Sequence, residues 1–167
     1  IRSSAASDVY KRQVQGKSFV GVFETFGGTI IFNPADLEQS MIDIVIDLIS
    51  IDSGDRERDD QMSSAEWFNV SVFPKARFKS LVFEQKGNGD YIVVAELTIK
   101  DITMPITMPF SLNIKEKNQN IRRARVKSEF IINRLDFNLG QGQWQSTDTV
   151  GDQVKINLDL SALSNSP

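Results

Sequence analysis

Residues 53–60, SGDRERDD, carry the densest run of ionisable side chains in the sequence. Two chemistries fit. Arg56 and Arg58 could form a polar mouth that holds a head group by charge-assisted hydrogen bonds. The plainer reading is a capped turn, with Arg58 paired to a neighbouring carboxylate. Asp136, Asp148 and Asp152 could serve as acid and base, yet nothing in their spacing brings them together. Gly140, Gly142 and Trp144 in LGQGQWQ lack the strand-to-helix unit that a phosphate loop requires, so Trp144 is expected to plug one end of the fold. Lys115, Lys117, Arg123, Arg125 and Lys127 could gather into a basic patch facing anionic lipid, but Glu116 and Glu129 dilute it into an ordinary solvated face.

The composition closes off several classes. Histidine and cysteine are both zero, which excludes imidazole- and thiol-based nucleophilic catalysis, disulfides and the usual zinc sites. No metal site and no covalent cofactor is expected. The net charge of −3 gives no reason to expect nucleic acid. MIDIVIDLISI, the longest apolar candidate, is interrupted by Asp43 and Asp47 and is too short to cross a membrane as a helix. The side chains present point to binding, with no catalytic set.

The elements that must position these residues read as strands. From Ile106, alternate side chains are Ile106, Met108, Phe110, Leu112 and Ile114, against Thr107, Pro109, Ser111 and Asn113. That period of two defines a strand with one dry face. The same alternation recurs over 41–51, 76–84, 91–100, 121–132 and 154–160. The segment 17–26 is expected to turn at Gly27-Gly28 into 29–33, which Asn33-Pro34 ends. Gly87-Asn88-Gly89-Asp90 and KNQN, 117–120, read as hairpin turns. The one helical candidate lies near residues 59–68, capped by Asp59 or Asp60. Eight long, mostly sequential strands with one dry and one wet face predict an all-β chain. The expected architecture is an extended antiparallel up-and-down β-barrel with one short helix.

Residues 1–13 stand apart. They show neither period, and SSAASDVYKRQ back-translates to a transposase adapter used in sequencing libraries. We therefore expect 1–13 to carry no fold. The domain is expected over 14–167, without a native first strand or signal peptide. The strand at Lys17 would then have an unpaired edge, which invites homodimerisation.

Barrels of about eight strands lie between a filled interior and one that holds a small ligand. Mutual packing of the inward side chains is the plainer reading of pattern alone. Strand length, and the small residues Gly21, Ala76, Ser80, Ala95, Ala124 and Ser128 among large ones, argue for a cavity. The candidate lining is Phe23, Ile44, Ile46, Phe78, Val93, Leu97, Met108, Phe110, Leu112, Val126, Phe130, Ile156 and Leu158.

Three stretches carry a family resemblance: 21–40, 46–80 and 95–112. The motif set is Gly21-x-Phe23, Asp52-Ser53-Gly54-Asp55 with Arg58-Asp59, Trp67-Phe68, Phe73-Pro74, Phe78-x-Ser80, Leu97-Thr98-Ile99 and Thr103-x-Pro105. In combination these resemble the YceI-like family of bacterial polyisoprenoid-binding proteins. Residues 133–156 resemble its branch associated with cytochrome b561-type membrane proteins. The resemblance implies a lipocalin-like barrel around a long apolar tunnel. It implies non-enzymatic binding, transport or sequestration of an isoprenoid quinone or prenyl chain. A periplasmic or secreted location and a cytochrome partner are implied with it. An interaction module with a filled core, docking on that cytochrome, is the alternative.

Overall fold

The computed structural model describes residues 6–14, 17–118 and 121–165. Residues 1–5 and the tip 119–120 of the predicted KNQN turn lie outside them, as does the side chain of Lys117. Ten strands are described: β1 (Ala6–Val14), β2 (Lys17–Phe23), β3 (Phe26–Ile31), β4 (Met41–Asp47), β5 (Ile51–Asp52), β6 (Lys75–Gly87), β7 (Asp90–Ile99), β8 (Ile102–Asn118), β9 (Ile121–Asn133) and β10 (Gln153–Asn165). They form one antiparallel sheet in the order β3-β4-β6-β7-β8-β9-β10-β1-β2-β5, curled into a half-barrel. The helix α1, Arg56–Ser63, follows β5.

The two ends of this sheet meet. β2 runs into β3 across Glu24 and Thr25, while β4 reaches β5 through a 3-10 turn at Leu48–Ser50. The Glu24 N–H donates to the Ser50 carbonyl at 3.2 Å, and the Asp47 N–H to the Thr25 carbonyl at 2.9 Å. One bent strand thus pairs with β5 on one side of the junction and with β4 on the other. Gly27-Gly28 is therefore not the expected turn: the pair sits in the ladder opposite Val45 and Ile44. Gly28 has φ +146°, and a Cβ there would lie 2.0 Å from the Asp43 carbonyl oxygen. The glycines allow two backbones to approach, which a GG dipeptide signals as readily as it signals a turn.

Two further expectations change. Ala6–Val14 does not lie outside the fold: β1 fills the slot between β2 and β10, with seven register pairs to β2 and six to β10. Ladder bonds belong to the main chain, so any proline-free extended segment tethered beside the slot can satisfy them. The edge expected to stand open beside Lys17 is paired, and with it goes the reason for a homodimer. The helix begins earlier than predicted. Asp55 is its N-cap and accepts from the Arg58 N–H at 3.2 Å, while Asp59 instead accepts from both Ser53 N–H and Oγ–H at 3.0 and 2.6 Å.

The inward side chains form two apolar clusters along the strands. One gathers Leu48, Met62, Trp67, Phe68, Phe137 and Leu139 at the α1 end. The other gathers Phe78, Phe83, Tyr91, Val93, Met108 and Phe110 toward the β6–β7 hairpin. Ile106 and Phe130 pack against both. The sheet has one discontinuity. The β8–β9 ladder runs up to Phe110↔Ser128 and goes no further, although β8 stays paired to β7 as far as Ile102 and β9 to β10 as far as Asn133.

Candidate ligand cavity

The interior is not solid. Between the two clusters lies a void of about 100 Å³. Strands β4, β6, β7, β8, β9 and β10 supply Ile44, Ile46, Phe78, Leu97, Met108, Phe110, Val126, Phe130, Ile156 and Leu158 to its wall. All of these are on the list drawn from alternation. A second void of about 60 Å³ lies toward α1, and Phe23 lines it. Ile46, Leu97 and Ile156 line both, so they form the partition between them. Val93 is fully buried in the packed cluster and Leu112 rests on its rim; neither lines a void.

Four residues lining the larger void are not on that list, Ile30, Phe32, Ile42 and Leu160, and of the second void's wall only Phe23, Ile46, Leu97 and Ile156 are on it. Ile42 and Leu160 share the parity of neighbours that were named, so alternation alone could have found them. Phe32 follows β3, and its ring meets Phe83, Tyr91 and Phe110 edge-on at 5.5, 5.0 and 5.5 Å. It falls within the expected strand 29–33, for which no inward face was assigned.

Every side chain lining the two voids is aliphatic or aromatic, apart from the thioether of Met108. Such a wall offers dispersion and water exclusion, with no donor, acceptor or titratable group to act on a guest. Ile44, Ile46, Val126, Phe130, Ile156 and Leu158 face inward yet are only half-buried. Their surface is incompletely covered by protein.

The charged candidates sit elsewhere. Neither Arg56 nor Arg58 lines either void, so the expected polar mouth does not form there. Arg58 is held on its own turn, donating to the Ser53 carbonyl at 3.3 Å and pairing with Asp55 at 3.5 Å. Its guanidinium lies 4.2 Å from the Phe19 ring centroid. Arg58 is thus tied to its own turn, while Arg56 is exposed on α1. Asp152 accepts from the Leu135 N–H, Asp136 from the Asn133 amide, and Asp148 bonds through its own N–H to Ser146. Among the described residues no group of acidic side chains is placed to hold a metal ion. In the basic patch, Arg125 is paired to Asp159 through two bonds of 2.8 and 2.5 Å.

The residue that sequence reading passed over is Arg134. It is completely buried. Its guanidinium donates to the carbonyls of Gly151, Leu139, Gly140, Trp144 and Val150 at 2.7–3.2 Å. The loop 139–151 is wrapped around this one cation, which lies 5.5 Å over the Trp67 ring. Leu139, whose carbonyl it holds, lines the second void. Trp144 packs against the same cluster and donates its indole N–H to Glu66 at 2.8 Å, closing the α1 end as expected.

A curled antiparallel half-barrel around an apolar void defines the class of protein. Residues 2–162 match the model of the YceI-like domain, and the chain belongs to that family. It is similar to UPF0312 proteins of Vibrio parahaemolyticus and Shewanella baltica. Both are 34% identical, over 64% of this chain and 57% of the first relative, and over 62% of this chain and 54% of the second. The match thus spans little more than half the length of these curated relatives. Among solved structures, BcnA of Burkholderia cenocepacia superposes with a TM-score of 0.85 at 28% identity, covering 94% of this chain and 96% of its own. A polyisoprenoid-binding domain of Saccharophagus degradans superposes with a TM-score of 0.68 at 17% identity, covering 99% and 96%, which shows a common fold.

Proposed function

We propose that this protein binds the tail of a polyisoprenoid lipid in its apolar interior and carries or sequesters it without chemical change. The observation that carries this reading is the pair of adjoining voids whose walls contain no polar side chain. The polyisoprenoid-binding domain of the same fold supports it. Each buried methylene contributes about 0.8 kcal/mol, so a tail binds through hydrocarbon alone.

The volume sets a condition. A cavity of roughly 150 Å³ holds benzene. A void of about 100 Å³ therefore takes about one isoprene unit. A longer tail needs Ile46, Leu97 and Ile156 to part and the two voids to join. Ile46 and Ile156 are half-buried, which leaves them rotamer freedom to swing away from the buried Leu97. The small volumes also favour a second reading, an interaction module whose core is filled. A quinone head and a periplasmic location belong to the first proposal and docking on a cytochrome b561-type partner to the second, and they rest on the resemblance of residues 133–156 and of the family.

Mass spectrometry of an organic extract of the purified protein separates the two. A prenyl lipid in stoichiometric yield is expected. Repeated extracts holding buffer components alone, from protein that also fails to take up added prenyl alcohol, would leave the filled core as the reading.

A further inference from the structure

A lipid with an isoprenoid tail has a polar head, and the walls of the voids offer that head nothing. The sheet does, at its discontinuity. Pro105 and Pro109 have no N–H, yet β8 keeps its register with β7 through Pro105↔Glu96 and Pro109↔Ile92. Residues of this parity must therefore turn their main-chain groups toward β9. The Pro109 carbonyl accepts from the Ser128 hydroxyl of β9 at 2.5 Å, as this requires. Thr103 and Thr107 share the parity. On β9, Lys127 pairs with Ser111, so Glu129, Ile131 and Asn133 turn theirs toward β8. No ladder joins these two rows, because it ends at Phe110↔Ser128.

A cavity of about 220 Å³ occupies this gap. Its lining comes from both faces of the sheet: Ile106 and Phe130 from the inner face, Thr107 and Ile131 from the outer. A pocket lined from both faces passes through the wall. Phe130 also lines the larger void and Ile132 the second, so this opening adjoins both.

We propose that the fissure between β8 and β9 is a side port that holds the polar head of the bound lipid, and that it selects a neutral hydroxyl or carbonyl head over a phosphorylated one. This rests on the tail-binding reading above. Main-chain N–H and C=O groups on both rims, with the Thr107 hydroxyl and the Asn133 amide, can donate to and accept from a neutral head. Asp136 is the charged side chain in the lining, and no lysine or arginine accompanies it. A phosphate there meets a like charge and no cation.

The chain has no cysteine, so Ile131→Cys introduces a unique thiol at the outer rim. Ile131 is 54% exposed, and the exchange should leave the fold intact. Leu163→Cys, 52% exposed on β10, is the control. Geranylgeraniol should slow maleimide labelling of Ile131→Cys several-fold and leave Leu163→Cys unchanged. Geranylgeranyl diphosphate, with the same tail, should bind about tenfold more weakly or worse. Unaltered labelling at Ile131→Cys, with native mass spectrometry showing the alcohol bound, overturns the side port and leaves tail binding standing. Diphosphate binding as tight as the alcohol overturns the selection for a neutral head. Failure of both lipids to bind overturns the port together with tail binding.

Discussion

Arg134 is a buried cation used as a template for a loop. Its five main-chain acceptors leave the guanidinium fork filled, and Gly140 is shaped to it: at φ +80°, a Cβ there would lie 2.6 Å from both Arg134 Nη1 and Trp67 Cη2. The cost of losing the arginine is set by the carbonyls it abandons. Each buried unsatisfied acceptor costs about 1–3 kcal/mol, part of which relaxation and water recover. We expect Arg134→Met to lose about 3–5 kcal/mol in urea denaturation. A loss within about 0.5 kcal/mol, the scale of an ordinary surface change, would show that the loop holds itself. Nothing in the sequence announced this residue. A single arginine between Asn133 and Leu135 has no period, and its partners are main-chain groups that every residue carries.

At the scale of elements, the strands were legible because each dry face obeys a period of two, and β6 to β10 follow it closely. Three features escaped for separate reasons. The Gly27-Gly28 pair could turn or allow close approach, and only the partner strand decides. The cap of α1 had four aspartates to choose from, and Ser53 captured Asp59 before it could cap. The splay of β8 from β9 left a trace in Pro105 and Pro109, four apart and of one parity, which is the signature of a strand edge facing a gap. Pairing between elements also yields a pH prediction. Arg77 of β6 holds Asp43 of β4 by two hydrogen bonds of 2.8 and 2.6 Å. That side-chain hydrogen bonding keeps the carboxyl below its ordinary range, and Arg125 does the same for Asp159 across β9 and β10. A depressed folded pKa adds stability above the ordinary carboxylate value, and this is lost as pH falls through the depressed one. The Tm gap between the native chain and Asp43→Asn should be open at about pH 6 and narrow from about pH 4 downward. A gap that stays constant across that range would show that the pair does not couple to folding.

For the whole molecule, the question is whether the two voids act as one site. Alternation along single strands identified most of the wall, since the inner face of a curled sheet is fixed strand by strand. It could not reveal the partition, which depends on how side chains from β4, β7 and β10 meet across the interior. If Ile46, Leu97 and Ile156 are a partition that a guest opens, affinity should climb from geraniol through farnesol to geranylgeraniol. Each step adds hydrocarbon worth up to about 0.8 kcal/mol per methylene. Ile156→Trp should wedge the partition shut. Prenol, a single isoprene unit that needs one void, should still bind this variant, and a native-like circular dichroism spectrum reports an intact fold. The gain for geranylgeraniol should disappear. Equal gains in both proteins, measured by displacement of a fluorescent prenyl probe, would mean that the long tail leaves the first void by another path, and the β8–β9 fissure beside Phe130 is the path that adjoins it.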